Sequence, residues 1–230
     1  SVSAVQKKIC TFRRHALKKL VLVMILFILP TASLAEEITK RPHWSLELKG
    51  GEFIPDIDNW SAYYDRRYTI EYGGSLAYKI TRKLEFGIEG MYLNDVGQGF
   101  APIHQTIAGN VKYESVPLNV FVLARGLFRE KQLVVPYIGG GWTTMFYREE
   151  VQSQGVTRGS TNGYHARAGL QLLLDSIDPS ASTSMELDYG LFHTYLFVEA
   201  EYIRAMANTA TSGSVNLGGT SWLAGLLFEF

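Results

Sequence analysis

The chain has 230 residues, with 22 basic and 22 acidic side chains, 47% hydrophobic residues and a single cysteine. That length suits one domain. The even charge shows no overall basic bias toward nucleic acid, and one cysteine excludes an intrachain disulfide or a cysteine-built metal site.

Residues 1–35 carry Lys7, Lys8, Arg13, Arg14, Lys18 and Lys19 and no acidic side chain. Residues 20–29 are an unbroken apolar run, Pro30 ends it, and Ser33 and Ala35 put small residues at −3 and −1 of a cut before Glu36. These are the three regions of a signal peptide, predicted over 1–35 and followed by one domain over 36–230. The apolar run is about half of the roughly 20 residues a spanning helix needs. Cys10 precedes the run and is not placed for lipid attachment. Removing the six leader cations leaves 16 basic against 22 acidic side chains, a net of −6 without His.

The remainder alternates with period two, the mark of strands with unlike faces. Over 43–54, Trp44, Leu46 and Leu48 oppose Ser45, Glu47 and Lys49. Over 69–80, Ile70, Tyr72, Leu76 and Tyr78 oppose Glu71, Ser75 and Lys79. Over 83–93, Leu84, Phe86, Ile88 and Tyr92 oppose Lys83, Glu85 and Glu89. Over 111–128, Val116, Leu118, Val120, Val122 and Ala124 oppose Asn119 and Arg125. A Gly-rich strand over 133–147 shows no clear outward face. Over 163–174, Tyr164, Ala166, Ala168, Leu170 and Leu172 oppose His165, Arg167 and Gln171. Over 194–207, Leu196, Val198, Ala200 and Tyr202 oppose Glu199 and Glu201. Over 217–230, Trp222, Ala224, Leu226, Phe228 and Phe230 oppose Ser221 and Glu229.

Short links at 81–82 and 129–132 alternate with longer ones at 55–68, 94–110, 148–162 and 208–216. The segment 175–193 is too long for a turn and has room for a short helix. In hydrocarbon each unpaired backbone group costs several kcal/mol, so a strand protein must close on itself. The expected fold is all-β, an eight-stranded antiparallel up-and-down transmembrane barrel with long loops outside the cell. A soluble sandwich or lipocalin-like barrel would show the same alternation. The leader, the absence of cysteine after it, the unequal loops and the terminal Phe230 favour the membrane barrel.

In so narrow a barrel side chains fill the interior. The expected lumen charge network is Glu47, Lys49, Glu71, Lys79, Glu85, Glu89, Arg125, Arg167, Glu199 and Glu201, joined by Glu229. It predicts a polar plug rather than a conducting pore, because unpaired buried charge is costly. Lys112 and Glu114 share the lipid-facing parity, so the start of their strand is expected above the bilayer. Pro117 suggests a bulge or edge distortion.

The pattern resembles the small outer-membrane barrels of the OmpA, OmpX and OmpW type. A second resemblance lies in 172–202, where Leu172-Leu173-Leu174-Asp175-Ser176-Ile177-Asp178-Pro179 and His193-Thr194-Tyr195-Leu196-Phe197-Val198-Glu199 look like segments shared by uncharacterised outer-membrane barrels of myxobacteria and related delta-proteobacteria. Trp222, Gly225 and the Glu229-Phe230 ending look similar too. The resemblance implies a barrel in the outer membrane and carries no activity.

Three places hold candidate chemistry. His193 and Asp188 could form a site at the periplasmic end, either hydrolytic or a structural fastening. Lipid A deacylases carry a His-x-Ser-Asn segment, but here Tyr195 and Leu196 follow, so the nucleophilic serine is missing. Trp60, Tyr63, Tyr64, Arg66 and Arg67 could bind lipopolysaccharide phosphates or a partner from the first outer loop, or form an interface belt. His43, His104 and His165 lack metal-ligand spacing, and the Gly139-Gly140-Gly141 run lacks the rest of a phosphate loop. The expectation is a non-enzymatic, monomeric outer-membrane barrel with a structural or surface-interacting role. It uses no cofactor or metal and no nucleic acid. It contacts outer-membrane lipid and lipopolysaccharide, and an unidentified extracellular or periplasmic partner. The alternatives are a narrow OmpW-like conduit for small apolar compounds and a lipid-modifying hydrolase.

Overall fold

The computed structural model describes residues 41–57, 60–64, 66–98, 110–129, 132–151, 155–208 and 213–230. The leader, its cleavage point and His104 lie outside the described residues, as does the side chain of Tyr63.

The strands are β1 (Trp44–Pro55), β2 (Thr69–Lys79), β3 (Leu84–Gln98), β4 (Asn110–Arg125), β5 (Val134–Val151), β6 (Gly155–Leu173), β7 (His193–Asn208), β8 (Ser214–Asn216) and β9 (Gly219–Glu229), with helices α1 (Trp60–Tyr64) and α2 (Pro179–Tyr189). Each long strand pairs antiparallel with its chain neighbours. β1 pairs β9, and β6 pairs β7, which closes the sheet into a barrel of eight long strands. Short β8 adds only to the outer end of β7. Across the wall closure leaves no unpaired sheet edge, which hydrocarbon would penalise; edges stay open at the outer end, on β6 before Gly163 and on β8.

The wall is inverted relative to a soluble barrel. Val120, Val122, Leu170 and Leu226 point outward, between 39% and 50% exposed, whereas Glu47, Glu89, Arg167 and Glu199 are at most 3% exposed. The apolar alternation therefore marks a lipid-facing belt, and the soluble alternative is excluded. On β5 the outward set is Val134, Ile138, Trp142 and Phe146. The sequence left that face open because Gly139–141 removes the side chains that would mark it.

Two expectations change. Most of 148–162 is ladder rather than loop, since Arg148 pairs with Arg158 and Val151 with Gly155. Glu149 and Val151 of β5 stay buried there, but β6 carries mostly glycines and small polar residues over 155–163, so the hydrophobic period fades while backbone pairing continues. Pro117 causes no bulge. The β3–β4 register is the same on both sides of it (Gly90 with Leu118, Leu93 with Ser115), and only the pairs between are missing. Proline has no N–H to give the ladder.

The β6–β7 link holds α2. Asp178 caps it by accepting from Ala181 N at 3.0 Å, Pro179 starts it, and Gly190 ends it in the left-handed region at φ 69°. Such a start and stop are the normal helix punctuation.

Candidate functional site

The lumen is built in three levels. At the periplasmic base, Lys79 and Arg125 meet Glu85 and Glu229, two cations against two carboxylates. Arg125 Nη1 is 3.0 Å from Glu85 and also bonds Glu229, and Lys79 bonds Glu229 and lies 3.3 Å from Glu85. Ser45 Oγ donates to Glu85 at 3.0 Å, and Arg125 Nη2 donates to Gln171 at 2.5 Å. The Arg125 guanidinium lies 5.0 Å over the Tyr195 ring.

At mid-height Arg167 is the hub. Its Nε donates to Glu199 at 2.6 Å, Nη1 to Glu89 at 2.9 Å and Nη2 to Glu47 at 2.7 Å, while its plane lies 4.8 Å over Phe121. A planar fork with several fixed donors suits this triple contact better than a point charge would. Lys49 Nζ lies 2.5 Å from Glu89, 2.7 Å from Glu199 and 4.0 Å from Glu201. Glu89, Glu199 and Glu201 bring oxygens within 4.8 Å of one another, close enough to hold an ion. The Lys49 ammonium occupies that position.

Neutral groups complete the level. Asn119 Nδ2 donates to Glu89 at 2.8 Å and to Glu201 at 3.0 Å, which turns its Oδ1 toward Thr143. Thr143 spends its one proton there, so the Nδ1 of His165, 3.0 Å away, must be the donor. Ser75 and Tyr137 donate to Glu47 and Glu199 at 2.7 and 2.8 Å. Gly169 makes room for Tyr137: a Cβ there would sit 2.6 Å from the ring.

Glu71 is buried but stands apart from these bonds, and its Oε1 has no partner in the structure. Thus the network residues do come together, in two clusters with Glu71 outside both. The sequence reading places Asn119, His165 and Gln171 on the inward face but assigns them no role. Their parity was the available signal.

The outer level is mainly apolar, with Asp95 and Glu149 buried beside its aromatic group. Trp60 and Tyr64 of α1 stack at 3.8 Å, Trp60 meets Tyr113 edge-on at 6.0 Å, and the group packs with Phe53, Leu93 and Met145. This corrects the loop-binding expectation. Trp60 and Tyr64 are buried inside the mouth and are not available to an external ligand. Burial pushes the Tyr64 phenol up, so it stays protonated. Arg66 and Arg67 remain exposed, and Arg66 is tied to Asp95 at 2.5 Å.

The periplasmic expectation is also corrected. His193 Nδ1 lies 2.7 Å from Asp175, not Asp188, and Asp175 accepts from Thr194 N at 3.0 Å. Antiparallel pairing of β6 with β7 brings the two ends of the link together, whereas Asp188 is exposed on α2. His43 stacks on Tyr78 at 6.1 Å.

Outside the barrel, Lys112, Glu114, Arg148 and Glu150 form a surface chain of ion pairs at 2.9, 3.0 and 3.0 Å. On the lipid-facing wall, Gly50, Ala168, Ala200 and Ala224 floor a groove of about 420 Å³ beside Trp222 and Leu170.

No protein-family model matches the chain, and no curated protein matches it. Solved structures do. The N-terminal β-barrel domain of Pseudomonas aeruginosa OprF is 13% identical, with TM-score 0.50, over 83% of this chain and 98% of that one. The outer membrane protein OprG from Pseudomonas aeruginosa is 9% identical, with TM-score 0.52, over 83% and 97%. Neisserial surface protein A is 12% identical, with TM-score 0.50, over 81% and 97%. At these identities the likeness is one of fold. The chain is an eight-stranded β-barrel protein of the cell outer membrane.

Proposed function

We propose that this protein is a non-conducting, non-enzymatic barrel that anchors surface segments in the outer membrane. Cleavage before Glu36 would yield the mature domain. The observation that carries the reading is the fully buried Arg167 guanidinium bonded to Glu47, Glu89 and Glu199. A cross-lumen knot of this kind stiffens the wall and blocks the axis. An apolar conduit would need an axis lined by Leu and Phe, and two ion-pair levels argue against it. His193 argues against hydrolysis, because its Nδ1 partner Asp175 also fastens the link to the barrel base.

The test is single-channel recording of the refolded full chain in planar bilayers. The reading expects no discrete openings. Stable unit conductance, or uptake of a small apolar solute into vesicles that depends on the protein, would overturn it.

A further inference from the structure

Helix α2 has proper caps at both ends, yet none of its residues is buried. An isolated helix of its 11 residues is marginal in water. It displays Met185, Leu187 and Tyr189, the last two 78% and 79% exposed, and Ile177 stands exposed just before it. The same link carries Asp175, Asp178, Glu186 and Asp188, and no Lys or Arg occurs from 168 to 203. The periplasmic lip on this side is therefore acidic and apolar.

The other side is its complement. The β2–β3 turn carries Arg82 and Lys83, and the sequence of the β4–β5 link carries Phe128, Arg129, Lys131 and one acid, Glu130. Phe128 is 81% exposed, and Lys83 Nζ lies 5.7 Å over its ring. In the closed order of eight long strands, the β2–β3 turn lies four strands from the β6–β7 link and the β4–β5 link two strands from it, so the basic stretch runs from the facing side of the ring round to its flank. A membrane holds all copies upright, so both lips lie at one level on every copy. Like-oriented neighbours thus present an acidic apolar helix to a basic aromatic turn.

We infer that the periplasmic rim is a self-association surface, on which α2 of one copy docks against Lys83, Phe128 and Arg129 of a second copy. The contact is heterologous, so it builds rows rather than closed pairs. It departs from the monomer expected from the sequence. Inner-leaflet lipid is the poorer occupant, since exposed Glu186 and Asp188, with no cation on the helix, are disfavoured at an anionic surface.

The test uses the full chain with Cys10→Ser and Ser184→Cys, labelled with donor or acceptor dye and mixed in lipid vesicles at several protein densities. Energy transfer should exceed that of a non-associating barrel at equal density. The double reversal Glu186→Lys with Asp188→Lys should lower association about fivefold, the effect expected of two exposed charge pairs. The double reversal Lys83→Glu with Arg129→Glu should do the same. Mixing the two reversed chains should restore transfer, because each then meets its opposite. Gel mobility of the unboiled protein confirms that each variant is folded. Transfer no higher than random collision, or loss without recovery in the mixture, would overturn the proposal and leave lipid or another periplasmic protein as the occupant.

Discussion

Replacing Arg167 with Met keeps most of the apolar stem over Phe121 and removes the guanidinium. Three carboxylates then lose a donor at once. They are not left bare. Glu47 keeps Ser75, Glu89 keeps Lys49 and Asn119, and Glu199 keeps Lys49 and Tyr137. Three charge-assisted bonds at roughly 1.5–3 kcal/mol each would overstate the loss for that reason. The cost of removing one partner from a buried ion pair, about 3–5 kcal/mol, is the better guide. Urea unfolding in lipid vesicles, followed by tryptophan emission and by gel mobility, measures it. Adding Glu199→Gln to Arg167→Met removes one of the stranded charges and should recover at least about 1 kcal/mol, since coupled neighbours are non-additive. A loss below about 1 kcal/mol for Arg167→Met would refute the claim that this knot holds the lumen together.

Asp175→Ala should speed protease cleavage within 174–192 and cost about 1–2 kcal/mol, while Asp188→Ala should stay within about 0.5 kcal/mol of the parent in the same urea titration. Val120→Arg places a charge on the lipid-facing belt and should destabilise by about 2–4 kcal/mol, whereas Val120→Leu should be nearly neutral. Trp60→Ala removes the ring stacked on Tyr64 and should open 56–68 to protease with little change in barrel unfolding. Unchanged cleavage would show that the aromatic cap does not hold that loop.

The wall was legible because lipid on one side and ions on the other impose a strict period of two. β1, β4, β6 and β9 all obey it. β5 did not declare itself, since three consecutive glycines carry no face. The tall β5–β6 hairpin was hidden because β6 over 155–163, mostly glycines and small polar residues, carries no hydrophobic period. Trp60 and Tyr64 read as exposed loop aromatics, although Ile57, Trp60 and Tyr64 are spaced three and four apart in the sequence, a pattern of burial. Asp188 is nearer to His193 in sequence, but the β6–β7 pairing brings Asp175 to it in space. Which inward charges bond to which could not be read at all, since that depends on shear and on side-chain reach across the barrel.

A cysteine scan of β4 from Leu118 to Ala124, in a Cys10→Ser chain carrying a nitroxide at each position, probes the inside-out, filled barrel most directly. The account predicts that 118, 120, 122 and 124 are relaxed by oxygen and not by a water-soluble nickel chelate, and that 119, 121 and 123 are reached by neither. Chelate access at the odd positions would reveal an open aqueous pore, and shielding of the even positions from oxygen would contradict the lipid-facing wall.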